Sequence, residues 1–392
     1  MNSIDPRWAS VKRLLVLRLD GLGDVLMTTP ALAALRAGFP DAHITLLAAP
    51  AAVELAPHLP AVDEVLPMVV PWMPAAAPAA GSAASSAASI GQGEPAHDQA
   101  QHELQALDRL RAGAFDAAII FTVCTQSALP AALWCRLAGI RLRLATAREN
   151  PYGLLTDWLP ETDVIGGKVR HEVQRQIDLL AHIGVPAPSS TGLQVRVLNE
   201  DRRSVALRLR ACGIGAGRRV VVLHPGANAE SRRWPAERFG AVAEAIATRT
   251  LCAVVLAGGR GDVALATRAQ QAMAAPQRCT VLAGVLSLGE TVALIERASL
   301  LICNNSLPAH LAAALGTPLV ALYALTNPQH TPWQAAARVL SHDVDCRWCL
   351  KSRCPQQHHA CLRGVMPEEV ADAALSLLLT APPRTLHGEA HA

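Results

Sequence analysis

A carboxylate and two glycines follow an apolar run near the start of the chain. Residues 14–19 are apolar apart from Arg18 and have the length of a strand, and Gly21 and Gly23 then break the run. A strand, a glycine turn and a helix open a βα unit, whose ligands bind at the carboxyl end of the strand. Asp24 could therefore act as a general base toward a ligand. It could equally well accept backbone N–H groups at the helix start.

A second candidate site follows a later apolar run, residues 220–223. The chain passes through a glycine turn at Gly226 into a loop that holds Arg232 and Arg233 just before Trp234. Guanidinium groups bind phosphate oxygens in a bidentate manner, so this loop could hold an anionic ligand. A solvated loop anchored by Trp234 is the alternative, and the residues alone favour it.

A third candidate site lies where the apolar run 300–303 meets a polar turn and a helix. Ser306 stands at the helix start and His310 in its first turn. Unpaired backbone N–H groups and the helix dipole make such a start a binding site for anions. The alternative is that Asn305 and Ser306 only cap the helix.

Three further polar residues follow weaker patterns. Asp262 comes after the glycine turn 258–259, which is weak evidence of a site by itself, and there it could simply cap a helix. Lys168 and Arg170 precede a predicted helix and could face an anionic acceptor, although a solvated basic edge is the simpler interpretation.

Four of the ten cysteines lie close together near the C-terminal end. Four thiolates could bind zinc tetrahedrally, but this spacing is not one of the common zinc patterns, so the four thiols could equally fill an irregular loop. We expect no catalytic metal, with one alternative, a structural site formed by Cys346, Cys349, Cys354 and Cys361.

These candidate sites lie in two successive series of alternating strands and helices. The first series has strands predicted at 14–19, 44–48, 64–67, 117–121 and 143–145 and helices at 31–38, 51–57, 103–112, 130–137 and 169–183. An Ala/Ser-rich insert at about 72–102 interrupts it and is predicted to be disordered. Alternation of this kind predicts an α/β fold with parallel sheets. The 392 residues are enough for two domains, 1–190 and 191–392, with a boundary near 190–215.

Composition limits the class of protein. The net charge of +3 is too small to indicate nucleic-acid binding. No apolar run is long enough to span a bilayer, and the first residues lack a signal-peptide pattern, so we expect a cytoplasmic protein without disulfides.

Taken together, the motifs resemble glycosyltransferase family 9, the bacterial heptosyltransferases. The shared features are the Gly-Asp pair at residues 23–24, the His-Pro-Gly turn at 224–226, an arginine two residues before Trp-Pro at 234–235, and the helix start at 304–310. The resemblance runs from about residue 13 to residue 378, without the insert. It implies the GT-B architecture, in which two doubly wound, Rossmann-like domains face a central cleft.

The resemblance also implies a function. It implies an inverting transfer of a heptose from a nucleotide-diphosphate sugar, most simply ADP-heptose, to the lipopolysaccharide inner core, with no cofactor. The acceptor is then a lipid-linked core oligosaccharide, which residues 1–190 bind, and the protein associates transiently with the cytoplasmic face of the inner membrane. Residues 191–392 bind the nucleotide sugar.

Roles for individual residues follow from matching the motifs position by position. Asp24, rather than Asp20, is the catalytic base, and Gly23, Lys168 and Arg170 are assigned to the acceptor. The residues assigned to the donor are Arg232, Ser306 and His310 at the diphosphate, Asp262 at the ribose, and Gly226 in the turn.

Some residues depart from the family pattern. Asn305, Leu307 and Asn327 stand where members commonly have Asp, Gly and Asp. These changes leave open a relative that binds a nucleotide or glycan without transfer, or a GT-B nucleotide-sugar epimerase. Hydrolase and kinase motifs are absent from the sequence, and the turn at 21–23 lacks the third glycine of a dinucleotide fingerprint.

Overall fold

The chain divides into two compact units, Met1–Gln194 and Val195–Ala392. A computed structural model describes residues 4–73 and 96–380. Each unit has a hydrophobic core of its own, packed against a parallel sheet. The division follows the Pro- and Ser-rich stretch 186–190, which has no apolar periodicity to contribute to either core.

Within the described part of the first unit, six parallel strands form one sheet in the order β3-β2-β1-β4-β5-β6. The strands are β1 (Arg13–Arg18), β2 (His43–Ala48), β3 (Glu64–Pro67), β4 (Ala117–Ile120), β5 (Leu142–Ala147) and β6 (Asp157–Pro160). The helices are α1 (Leu22–Gly38), α2 (Ala96–Ala112), α3 (Leu129–Leu137) and α4 (Glu172–Ala181), with a 3₁₀ helix at Pro50–His58. Strand β1 is buried from Leu14 to Arg18, because helices cover both faces of a parallel sheet.

Helix α1 begins nine residues before the predicted start at Ala31. Gly21 has an extended backbone, and the Asp24 carboxylate accepts its N–H group, so Gly21 is the N-cap residue and the helix begins at Leu22. Pro30 lies inside α1. Because proline usually marks the start or the end of a helix, the sequence gives no sign that residues 22–29 are helical.

The predicted disordered insert is wrong at both of its ends. Trp72 packs edge-on against Trp134, with ring centroids 4.9 Å apart, and so belongs to the core. Helix α2 begins at Ala96, where Asp98 in the first turn favours helix through the macrodipole. The rest of the predicted insert, residues 74–95, lies outside the described residues.

The described part of the second unit repeats this arrangement, with the sheet order β12-β11-β10-β7-β8-β9. Its strands are β7 (Val220–His224), β8 (Ala253–Leu256), β9 (Cys279–Val281), β10 (Leu300–Asn304), β11 (Leu319–Leu322) and β12 (Ala337–Leu340). Its helices are α5 (Asn199–Ala211), α6 (Ala236–Arg249), α7 (Val263–Gln271), α8 (Leu288–Arg297), α9 (Leu307–Leu315), α10 (Ala360–Arg363) and α11 (Pro367–Thr380).

Both sheets have the same switch in strand order. From β1 the strands follow chain order toward one edge of the first sheet, and from β4 they follow it toward the other edge. The second sheet has the same arrangement, with β7 and β10 as the two starting strands. Loops at the carboxyl ends of such neighbouring strands leave in opposite directions and open a crevice that binds ligands. The turns at residues 19–24 and 224–235 therefore lie at the switch points of the two sheets.

None of the helices in residues 4–73 and 96–380 combines the length and the apolarity of a membrane span.

The contact between α6 and α7 gives a test of the fold. Gly240 of α6 faces the backbone of α7, and an added Cβ would lie 2.2 Å from the Ala269 carbonyl oxygen and 2.9 Å from Ala272 Cβ. We expect Gly240→Ala to lower the free energy of unfolding by about 1–3 kcal/mol, because the helices must move apart. Denaturant unfolding followed by circular dichroism measures this change.

Gly217→Ala is the matched control, because a Cβ at Gly217 would meet no atom within 4 Å. Its unfolding midpoint should stay close to that of the parent protein. Equal midpoints for both variants would show that the close approach of α6 to α7 does not contribute to stability.

Candidate functional site

The turn after β1 holds the first candidate residue, Asp24, at the third position of α1. Its Oδ2 accepts the Gly21 N–H group at 3.0 Å, and its Oδ1 lies 3.3 Å from Arg18 Nη2. The side chain is 19% exposed. The capping role therefore exists, and part of the side chain is still exposed to solvent.

Arg18 connects three carboxylates at this switch point. Its Nη1 donates to Glu172 Oε1 at 2.7 Å, and its Nε lies 3.0 Å from Asp20 Oδ2, without an aligned hydrogen bond. Arg18 and Glu172 are fully buried. Burial opposes the charge of the guanidinium, but the negative charges of Asp20, Glu172 and Asp24 raise the pKa of Arg18 above its ordinary value.

Asp20 is a carboxyl group whose pKa the surroundings shift at this switch point. Burial raises the pKa of Asp20, and the charges of Asp24 and Glu172 act in the same direction, against that of Arg18. Gln126, in the loop after β4, donates from Nε2 to Asp20 Oδ1 at 2.7 Å. The segments that follow β1 and β4 thus each contribute a residue to this cluster of polar side chains.

The other residues assigned to the acceptor lie before α4. Lys168 is exposed. Arg170 lies 3.0 Å from Asp163, 2.8 Å from Asp178 and 3.6 Å from Glu161, so its charge is already compensated within the unit. Its role at the acceptor remains a prediction. Gly23 lies half-buried beside Asp24 in the first turn of α1.

Sequence reasoning missed Arg18, Glu172 and Gln126 as parts of the site. The place of Arg18 in an otherwise apolar strand is the signal that could have identified it, because a buried charge requires a partner. Glu172 and Gln126 are distant in sequence, and their types carry no comparable signal.

Asn304 organises the second switch point. This buried amide at the end of β10 donates from Nδ2 to the Pro225 carbonyl at 2.8 Å and accepts the Trp234 N–H group at Oδ1 at 3.0 Å. Trp234 is itself buried and donates from Nε1 to the Val365 carbonyl at 3.2 Å. Both ends of the loop that holds Arg232 are thereby fixed.

Arg232 is half-buried at the end of a short 3₁₀ turn, Glu230–Arg232. Its Nε is buried without a hydrogen-bond partner among the described residues, and no carboxylate of that part of the chain lies within ion-pair distance. The guanidinium acts on Tyr323, where it opposes the burial that raises the pKa of that phenol. Arg232 is therefore a positive charge that an anion could neutralise.

Gly226 and Asp262 lie against each other. A Cβ at Gly226 would be 2.2 Å from Asp262 Oδ1, so only glycine allows this approach. Asp262 Oδ2 accepts the Gly259 N–H group at 3.0 Å and lies 4.0 Å from His224 Nε2. The capping alternative for Asp262 is therefore present in the structure. Burial lowers the pKa of His224, against the opposing effect of Asp262.

Helix α9 starts at this switch point with Ser306 as its N-cap residue. The Ser306 hydroxyl makes no capping bond to the helix and lies 3.4 Å from the Asn304 carbonyl oxygen. Asn305 Oδ1 instead accepts the N–H group of Ala324 at 3.3 Å. The alternative in which Asn305 and Ser306 merely cap the helix is wrong, and the buried His310 lies one turn further.

The Cys-rich segment supports the Arg232 loop through its backbone. Ser231 donates from N to the Ser352 carbonyl at 3.0 Å and from Oγ to the Lys351 carbonyl at 2.7 Å. The four thiols are half-buried, and Cys346 Sγ lies 3.8 Å from His358 Nε2. Burial raises the pKa of Cys361. In residues 4–73 and 96–380, no three or more His, Cys, Asp or Glu side chains converge in a way that could hold a metal ion. The structural site at Cys346, Cys349, Cys354 and Cys361 stays an alternative that the sequence alone offers.

Solved structures share this fold. A glycosyltransferase family 9 structure from Veillonella parvula is 24% identical and superposes with a TM-score of 0.74, over 94% of this chain and 98% of that one. The structure of E. coli ADP-heptose LPS heptosyltransferase II is 24% identical, with a TM-score of 0.69, over 94% of this chain and 99% of that one. Two parallel sheets flanked by helices in this manner are the GT-B architecture.

Sequence comparison agrees over most of the chain. Lipopolysaccharide heptosyltransferase 2 of E. coli K12 is 26% identical over 374 residues, which are 94% of this chain and 99% of that protein. Residues 104–360, well over half of the chain, match the profile of "Glycosyltransferase family 9 (heptosyltransferase)". The resemblance seen in the motifs is confirmed: the chain belongs to glycosyltransferase family 9 and is a glycosyltransferase.

Proposed function

We propose that this glycosyltransferase transfers a heptose from ADP-heptose to the inner core of lipopolysaccharide, with inversion at the anomeric carbon. One observation carries the proposal: each switch point holds the charge that such a transfer needs. Asp24 in the first unit is a partly exposed carboxylate, and Arg232 in the second is a cation without a carboxylate partner in the described residues. The relatives named for heptose transfer support the choice of sugar.

The second unit binds the nucleotide sugar in this proposal. Arg232 neutralises the diphosphate, and the start of α9, with Ser306 and His310, adds backbone dipoles and polar groups. Gly226 lets the backbone approach the nucleotide closely, and Asp262 bonds the ribose. Because a positive charge at the diphosphate stabilises the leaving group as charge develops, this site contributes to the rate as well as to binding.

The first unit binds and activates the acceptor. Asp24 takes the proton of the acceptor hydroxyl as its oxygen bonds to the anomeric carbon, and the bond from that carbon to the diphosphate breaks on the opposite face. The electron pair leaves with ADP, so a single displacement inverts the centre. Gly23, Lys168 and Arg170 line the acceptor side, where they orient the attacking hydroxyl.

The acceptor determines where the protein works. A core oligosaccharide is linked to lipid, so the enzyme acts at the cytoplasmic face of the inner membrane. It is held there through its substrate and basic surface residues.

The first experiment measures ADP release from ADP-heptose with and without a heptose-deficient core acceptor. We expect release that depends on the acceptor. Binding of ADP without release would indicate a non-transferring relative, and conversion of the donor without any acceptor would indicate an epimerase.

Asp24→Asn tests the base. The amide keeps the shape of the side chain and can still accept the Gly21 N–H group, but it cannot take a proton. Loss of general-base catalysis costs roughly 10²–10⁴-fold, so we expect kcat to fall within that range. Affinity for ADP, measured by calorimetry, should stay unchanged. A turnover number equal to that of the parent enzyme would exclude Asp24 as the base.

Arg232→Ala tests the diphosphate contact, and Arg233→Ala, one residue along and exposed, is its control. We expect Arg232→Ala to reduce kcat/KM for ADP-heptose at least tenfold, about 1.4 kcal/mol, because the donor loses its charge partner. The control removes the same charge and should change kcat/KM much less. Equal effects of the two substitutions would contradict a specific role for Arg232.

A further inference from the structure

The buried Arg18 guanidinium has a role beyond holding α1 and α4 together. We propose that Arg18 is the positioning residue of Asp24, and that Asp20, which shares the same guanidinium, keeps the Asp24 carboxylate basic enough to accept a proton. This inference rests on the proposed function, since it concerns the base of that reaction.

The geometry fixes the Asp24 carboxylate at both oxygens. Oδ1 faces Arg18 Nη2 at 3.3 Å and Oδ2 accepts the Gly21 N–H group at 3.0 Å. Arg18 cannot turn toward solvent, because it is fully buried and its Nη1 donates to the buried Glu172 at 2.7 Å. The orientation of Asp24 is therefore set by a group that is itself immobilised.

A guanidinium beside Asp24 has a cost for catalysis. A cation favours the ionised carboxylate and so weakens it as a base. A carboxylate base that is held only by Arg18 would be well oriented, but its affinity for the hydroxyl proton would be low. The remaining carboxylates at this position offset that effect.

Asp20 and Glu172 face the same guanidinium. Asp20 Oδ2 lies 3.0 Å from Nε, so each of the three guanidinium nitrogens faces a different carboxylate. On α4, Arg175 lies 3.6 Å from Glu172, but it is also paired with Glu161 at 2.5 Å.

Among the ion pairs that the described residues make with Arg18, there is therefore a negative excess, because three carboxylates share one guanidinium. Gln126, which donates to Asp20 from the loop after β4, adds no charge.

The negative excess is concentrated at Asp20 and Asp24, the two carboxylates with some exposure, 10% and 19%. Burial raises the pKa of Asp20, and the charge of Asp24 raises it further. Two interacting carboxyl groups of this kind titrate as a pair, with one proton bound more tightly than either would bind alone. Removing the negative charge of Asp20 lowers the proton affinity of Asp24, because the attraction of Arg18 for the Asp24 carboxylate is then less opposed.

Asp20→Asn tests the inference with little change of shape. Removing an anion next to Asp24 stabilises the ionised carboxylate, so the acid limb of the pH profile of kcat/KM should move to lower pH, by about one unit. The plateau value of kcat should fall severalfold, because the base is weaker, while KM for ADP-heptose should not change. Arg18→Gln, where it folds, should move the acid limb in the opposite direction.

Arg36→Gln is the control for Arg18→Gln, since Arg36 lies on α1, the helix that carries Asp24, and pairs with Asp63 away from the switch point. It should leave the acid limb in place, although stability falls. An acid limb in Asp20→Asn that coincides with that of the parent enzyme would overturn the inference.

A measurement without turnover separates this inference from the proposed function. ¹³C NMR of labelled aspartate carboxyl groups follows the titration of Asp24 in the parent protein and in Asp20→Asn, with Asp24→Asn to assign the signal. A lower midpoint in Asp20→Asn supports the inference even if no heptose is transferred, and an equal midpoint overturns it. Absence of transfer by the parent enzyme bears on the proposed function alone.

Discussion

Both units depend on one constraint, the direction of their strands. All strand pairs in the described sheets are parallel, so every strand ends at the same edge, and the order of strands reverses at β1/β4 and at β7/β10. Side chains that follow those strands are brought to one crevice in each unit without any need for proximity in sequence. The candidate residues occur there because groups beyond the ends of the strands no longer form hydrogen bonds within the sheet and can face a ligand.

The two switch points use charge in opposite ways. In the first, a buried guanidinium gathers three carboxylates, since an arginine excluded from water requires counter-charges. In the second, Arg232 has no carboxylate partner in the described residues, and a neutral amide, Asn304, organises the loop around it. A carboxylate crevice suits the removal of a proton and a cationic loop suits an anion, which matches the two halves of a glycosyl transfer.

The departures from the family pattern acquire a physical meaning in this setting. Asn305 bonds the backbone of the next strand and adds no negative charge near Arg232, so that cation is left available. Asn327 caps the short helix at Pro328–His330 by accepting the Gln329 N–H group at 2.9 Å. In both places the amide oxygen keeps a backbone contact that an acid could also make, without the negative charge of the acid.

Sequence by itself determined the alternation of strands and helices, the family, and the turns at which Asp24, Arg232 and Ser306 stand. Apolar periodicity and glycine turns are local properties, so they can be recognised from residues that are close together in the chain. The start of α1 and the helix at the C-terminal end of the predicted insert could not be recognised from the sequence. Pro30 resembles a helix boundary, and the polar composition of residues 96–102 resembles that of a loop. The partners of Arg18 could not be read from the sequence, since Glu172 reaches it from 154 residues away. Likewise, only the tertiary structure decided that Arg170 is compensated while Arg232 is not, because the balance of charge around an arginine depends on which distant carboxylates the fold brings to it.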